Sequence, residues 1–162
     1  MHTLYVLVGG NIGDRRNNLE VARSWLQKEI GQVTRSSSIY ETEAWGNKDQ
    51  PDFYNQLHII RTQHLADEAM EKILDIEEKM GRVRTVKNAA RIIDIDILFF
   101  DKEIINISGL TVPHPEISNR RFVLVPLNEL SPNFVHPLFH KTIHELLSTC
   151  KDELEVRPVI AS

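Results

Sequence analysis

The segment Arg91-Ile92-Ile93-Asp94-Ile95-Asp96-Ile97-Leu98-Phe99-Phe100 places two carboxylates two residues apart on an otherwise apolar run. Residues two apart on a strand share a face. A strand here directs Ile93, Ile95, Ile97 and Phe99 one way, and Asp94 with Asp96 the other. Adjacent carboxylates repel each other and resist burial. A divalent cation between or beside them relieves both costs, and magnesium, with its preference for oxygen ligands and substrate phosphates, is the natural candidate. Without a ligand, the same pair reads as a solvated face or as charges that protect a sheet edge. The strand alone leaves both open.

Immediately upstream, Arg82, Arg84, Lys87 and Arg91 fall within ten residues. Arg donors and a metal meeting at one place are what a polyphosphate requires, because several oxygens must be neutralised at once. A charge run by itself is often a solvated loop; the basic run beside the carboxylate pair is the more specific signal. Glu77 lies four residues after Ile73 and seven after Met70, on an apolar helical stripe. From there it could contact a ligand hydroxyl near the helix end, or reach solvent beside Gly81.

A second cluster comprises Trp45, Gly46, Phe53 and Asn55, with Phe122 far along the chain. Aromatic faces plus an amide suit a flat heterocycle, although by residue type alone Phe53 and Phe122 read more readily as core. Other motifs fail. Gly9-Gly10-Asn11-Ile12-Gly13 matches neither GxGxxG nor GxxxxGK[ST], and the chain holds no GxSxG. His136, His140 and His144 are spaced by four, but Pro137 interrupts a helix through all three, and they read as surface histidines.

The elements that must position these residues follow from periodicity. Leu4 to Val8 reads as a buried strand ending in the turn Gly9-Gly10-Asn11. Asp14 is a helix N-cap, followed by Leu19, Ala22, Trp25, Leu26 and Ile30 at helical spacing until Gly31. Residues 32–41 and 53–62 read as strands separated by the loop 43–52. Ala66, Ala69, Met70, Ile73, Leu74, Ile76 and Met80 form the stripe of a second helix that Gly81 stops. A strand over 92–100, a short helix or turn near 121–130 and an amphipathic stretch over 142–147 complete the chain. The order predicts an α+β, ferredoxin-like βαββαβ fold: an antiparallel sheet with helices packed on it, plus C-terminal additions.

Composition sets the limits. A chain of 162 residues with 41% hydrophobic and 26% charged residues predicts one folded domain over 1–162 rather than disorder. A formal charge of -4 argues against a nucleic-acid partner. Cys150 is the only cysteine, which excludes an internal disulfide or a multi-cysteine metal site and suits a reducing compartment. No apolar run approaches the roughly 20 residues of a membrane helix, and the N-terminus lacks a secretory pattern. A cytoplasmic protein with no membrane partner is expected.

Together the motifs resemble the 6-hydroxymethyl-7,8-dihydropterin pyrophosphokinase family, whose members move a diphosphate from ATP to a pterin alcohol. Five stretches carry the likeness, in order: Gly9-Gly10-Asn11; Asp49-Gln50-Pro51-Asp52-Phe53-Tyr54-Asn55; Gly81-Arg82-Val83-Arg84; Arg91 to Leu98; and Leu110-Thr111-Val112-Pro113-His114-Pro115 with Asn119-Arg120-Arg121-Phe122.

The resemblance implies that Asp94 and Asp96 hold two magnesium ions bridging the ATP phosphates, and that Arg82 and Arg91 clamp the triphosphate and stabilise the transferring group. It implies Glu77, Arg84, Ile97, Thr111, His114 and Arg120 around the nucleotide. Phe53 and Phe122 would sandwich the pterin, with Asn55 as its hydrogen-bonding amide and Thr42, Ala44, Trp45 and Gly46 along its edge. The chain departs from the family pattern at Asn88-Ala89-Ala90-Arg91, where Trp-Gly-Pro-Arg is common, and at Ala44 and Gly10, where Pro and Ser are common. ATP and the pterin are the expected partners and a monomer is favoured. A non-catalytic ferredoxin-like module binding the same ligands is the alternative.

Overall fold

Strand β1 (His2–Gly10) is buried from Leu4 onward, so its continuous apolar run is a strand covered on both faces. The structure, a computed structural model, describes residues 1–43, 50–82 and 91–160. Along the chain β1 is followed by α1 (Arg15–Glu29), β2 (Gln32–Ser36), β3 (Tyr40–Thr42), β4 (Phe53–Thr62) and α2 (Ala66–Lys79). Then come β5 (Asp94–Phe100), the hairpin β6 (Ile105–Ile107) and β7 (Leu110–Val112), α3 (Arg121–Leu130), α4 (Ile143–Thr149) and β8 (Arg157–Pro158). The main sheet runs β5-β1-β4-β3-β8, with β2 also on β4. Its pairings are antiparallel.

Alternation along β1 divides the interior in two. Leu4, Val6 and Val8 pack with Leu19, Leu26, Ile73 and Ile76 under α1 and α2. Tyr5 and Leu7 pack with Leu57, Leu124, Leu127 and Ile143 under α3 and α4. Each such buried aliphatic side chain contributes roughly 1.5–3 kcal/mol. The C-terminal additions thus supply the second cover of the sheet.

Local signals end the helices where the sequence places them. The Asp14 carboxylate accepts from the Asn17 N–H at 3.0 Å and starts α1. The Glu68 carboxylate accepts from the Leu65 N–H at 3.0 Å at the start of α2. Gly81, at φ 86°, takes the left-handed turn beyond the end of α2 that a side chain would strain.

Four expectations are corrected. Tyr5 pairs with Phe99 but Val6 with Ile97, so Leu98 is an extra residue in β5. Beyond this bulge Phe99 joins the α3–α4 core and Phe100 the α1–α2 core, so Phe99 does not share the face of Ile93, Ile95 and Ile97. The expected strand 32–41 breaks into β2 and β3 at buried Ser37, whose hydroxyl accepts from the Leu57 N–H at 2.9 Å and donates to the Ser38 carbonyl at 2.8 Å. Leu74 lies at the solvent edge of the α2 stripe, 40% exposed. His136 is buried, not a surface residue: its Nδ1 accepts from the Leu138 and Phe139 N–H groups at 3.1 and 3.3 Å, and its ring stacks on Phe139.

Candidate functional site

At the C-terminal end of β1 the apolar side chains stop. Asp94 of β5 stands opposite Gly9, Gly9 opposite Asn55 of β4, and Asn55 opposite Tyr40 of β3. Residues directly opposite in an antiparallel ladder project on one face. Asp96 takes the next place on that face, opposite Leu7, and Phe53 lies two residues from Asn55 and opposite Thr42. Five of the expected site residues, spread over 54 positions from Thr42 to Asp96, therefore meet on the face whose other half lies under α3 and α4.

 Gly9 makes the approach possible: a Cβ there would lie 2.1 Å from Asn55 Oδ1.

The charged groups gather on the β5 side of this row. β5 is an end strand of the sheet, and its Ile95 N–H donates to Glu77 Oε2 at 2.8 Å rather than to another strand. Glu77 is buried at 3% exposure and also accepts from Arg82 Nη1 at 2.8 Å. The expected helix-stripe carboxylate is thus turned onto the strand, not out to solvent. Arg82 Nη1 donates to Asp94 Oδ1 as well, and Arg91 Nη1 donates to Asp94 Oδ2 at 2.9 Å. Asp94 is therefore held between two guanidinium groups.

Asp96 is half-buried, and its carboxyl is pushed up to about 7. Burial is the largest cause, followed by the charges of Asp94 and Glu77, which outweigh the opposing pull of Arg82 and Arg91. A carboxylate opposed by two others is the kind of group a divalent cation stabilises, and the oxygen donors of Asp94 and Asp96 fit magnesium. His114 is held below the ordinary histidine range, chiefly by burial. Its Nδ1 accepts from the Glu116 N–H at 3.1 Å, which leaves Nε2 as the protonated nitrogen of the neutral ring.

The aromatic side of the site connects to the charged side through arginines. The Arg91 guanidinium lies 5.6 Å from the Phe53 ring centroid, and the Arg120 guanidinium 4.9 Å from that of Phe122. Phe53 and Phe122 are both half-buried, so neither is a fully enclosed core residue. Thr42 is buried at the end of β3, and Thr111 is exposed on β7. The Ile97 side chain belongs to the α1–α2 core. Ala44, Trp45, Gly46 and Arg84 lie outside the described residues.

Sequence reasoning assigned no contact to Asn11, which is 1% exposed. Its Oδ1 accepts from the Arg91 N–H at 2.9 Å, and its Nδ2 donates to Gln50 Oε1 at 2.9 Å and the Pro51 carbonyl at 3.0 Å. One amide thereby ties the residues on either side of the site to the end of β1. The available signal was a polar residue directly after a fully buried strand.

Paired carboxylates and arginines beside an amide and aromatic rings, on one end of an antiparallel sheet with helices, define a mixed α/β protein with the donor set for a phosphate-bearing ligand. Residues 5–132 match the family model for 7,8-dihydro-6-hydroxymethylpterin-pyrophosphokinase (HPPK), and the chain belongs to that family. It is 42% identical over 127 residues to the 2-amino-4-hydroxy-6-hydroxymethyldihydropteridine pyrophosphokinase of Bacillus subtilis, covering 78% of this chain and 76% of that protein. The enzyme of that name from Aquifex aeolicus is 37% identical over 145 residues, with 90% of each chain covered.

Longer relatives contain the same region as a part. The folic acid synthesis protein FOL1 of Dictyostelium discoideum is 35% identical over 143 residues, which make up 88% of this chain and 22% of that protein. A crystal structure of Plasmodium falciparum HPPK-DHPS matches with a TM-score of 0.72 at 20% identity, covering 91% of this chain and 43% of that one. That likeness is one of fold.

Proposed function

We propose that this chain transfers diphosphate from ATP to the hydroxymethyl group of 6-hydroxymethyl-7,8-dihydropterin, giving AMP and the pterin diphosphate of folate biosynthesis. The observation that carries this reading is the row Asp94–Gly9–Asn55, which sets a charged cluster and the Asn55 amide side by side on one sheet face. The strand order β5-β1-β4-β3 supports a ferredoxin-like core, and 1–162 is read as one cytoplasmic domain for which a monomer is favoured.

Phe53 and Phe122 stack on the pterin, Asn55 pairs with its ring edge, and Thr42, Ala44, Trp45 and Gly46 border it. Asp94 and Asp96 would hold two magnesium ions, which supply charge neutralisation at the phosphate oxygens when bound. Arg82 and Arg91 exchange Asp94 for phosphate oxygens, and Glu77 keeps Arg82 aimed by its bond at 2.8 Å. Arg84, Ile97, Thr111, His114 and Arg120 complete the nucleotide side, where the His114 Nε2–H is free of proton ambiguity as a donor.

The pterin hydroxymethyl oxygen attacks the β-phosphorus. The bond from that phosphorus to the oxygen bridging the α-phosphate breaks, AMP leaves with that oxygen, and the hydroxyl proton passes to solvent. The protein contributes positioning and electrostatic stabilisation, with no side-chain nucleophile. Incubation with ATP, magnesium and 6-hydroxymethyl-7,8-dihydropterin should release AMP in step with pterin diphosphate. Release of ADP, or binding of both ligands with no AMP, overturns the reading.

A further inference from the structure

The wall that carries Phe53 and Asn55 has a charged backing. Across β8, β3 and β4, Arg157 stands opposite Glu41, and Glu41 opposite Tyr54. Successive strand residues face opposite sides. Glu41 and Tyr54 therefore point away from the site while Thr42, Phe53 and Asn55 point into it. Behind the wall, Arg15 of α1 lies 3.9 Å from the Tyr54 ring centroid. It donates to Glu41 Oε2 at 3.1 Å and to the Asp52 carbonyl at 2.7 Å. Arg157 Nη2 donates to Glu41 Oε1 at 3.4 Å and Asp52 Oδ2 at 3.2 Å.

Glu41 directly precedes Thr42, and Asp52 directly precedes Phe53. These two carboxylates flank the segment 42–51, so Arg157 bridges its two ends. The Val159 N–H, donating to the Ile39 carbonyl at 2.8 Å, fastens the strand that brings Arg157 there. Half-exposed ion pairs of this kind add little stability. What this one fixes is the relative position of two strand ends that carry the site wall. Arg157 lies beyond residues 5–132, the part of the chain that matches the family.

We infer that Arg157 is a positioning residue for the pterin subsite: with Arg15 it locks Glu41 to Asp52 and thereby sets the Phe53 ring and the Asn55 amide. This rests on the proposed function. It is tested in the full chain with Arg157→Ala, varying each substrate in turn. The KM for the pterin should rise about 5–10-fold, while kcat and the KM for ATP stay within about twofold, as for loss of uniform binding of one substrate. Arg157→Lys keeps the charge without the planar fork and should recover less than half of the loss.

Fluorescence titration with 6-hydroxymethylpterin in the absence of ATP should show the same weakening independently of turnover. Should Arg157→Ala fail to fold, Asp52→Asn removes the contact from the other side and should give the same split between the two KM values. An unchanged pterin KM and titration, or an equal rise in both KM values, overturns the inference. Failure of the wild-type chain to form AMP overturns the proposed function instead, and leaves the titration as the test of Arg157.

Discussion

The two halves of β1 and β5 make opposite demands on the same sheet. From Leu4 to Val8, and from Ile97 to Phe100, the strands pack apolar side chains into two cores. At Gly9 and Asp94 the packing gives way to hydrogen-bonded charge: Asp94 between two guanidinium groups, and Asp96 facing Asp94 and Glu77. The first half stabilises the fold by burial. The second gathers like charges that a fold alone would not favour, which is the usual cost of a prepared site.

Removing a charge from the site half gives the largest effect. Asp96→Asn should lower the rate of AMP formation by roughly 10³-fold, the scale of losing one preorganised electrostatic group. It should also raise the melting temperature at pH 8. The carboxyl, raised in the folded state from 3.8 to about 7, costs stability progressively as pH rises through that window, and an uncharged amide carries no such cost. An Asp96→Asn protein that melts lower than wild type at pH 8 breaks the contrast between the halves.

In the core half the expectation reverses. Phe99, fully buried with its centroid 4.6 Å from Phe134 and 5.6 Å from Tyr5, should cost about 3–5 kcal/mol when replaced by alanine. Activity per folded molecule should stay close to wild type. Chemical denaturation beside an active-site titration measures both quantities.

The smallest effect belongs to a polar residue inside the core half. His58 is fully buried, its Nδ1 is 2.7 Å from Ser36 Oγ, and its Nε2 has no partner among the described residues. Burial, then the Arg23 charge, lowers it from 6.5 to about 4. The unfolded chain therefore binds the proton more tightly, and His58 costs stability as pH falls from 6.5 towards 4. His58→Gln should flatten the fall in denaturation midpoint across that window while leaving neutral-pH activity intact. An unchanged acid slope would show that the core half is insensitive to this group.

The Asp94 and Asp96 pair was legible in the sequence because strand alternation is a local rule, and both residues lie before the bulge. Phe99 was not, because one extra residue at Leu98 reverses the alternation, and only pairing with β1 reveals it. The stripe of α2 placed Glu77 on the apolar face but left a ligand contact and solvent both open; its bond to Ile95 depends on β5 lying at the end of the sheet order. Asn11 and Arg157 carried no chemical pattern of their own. Their partners lie 39 and 105 positions away at Gln50 and Asp52.

By itself the sequence determined the helices, most of the strands, the paired carboxylates and the family-like motifs, since each depends on residues within a few positions of one another. Tertiary structure alone decided that Asp94 and Asn55 meet across Gly9, that α3 and α4 cover the second face, and that β8 reaches the back of the site. Those outcomes depend on strand register, a long-range property set by the total packing of both faces and not by any local run of residues.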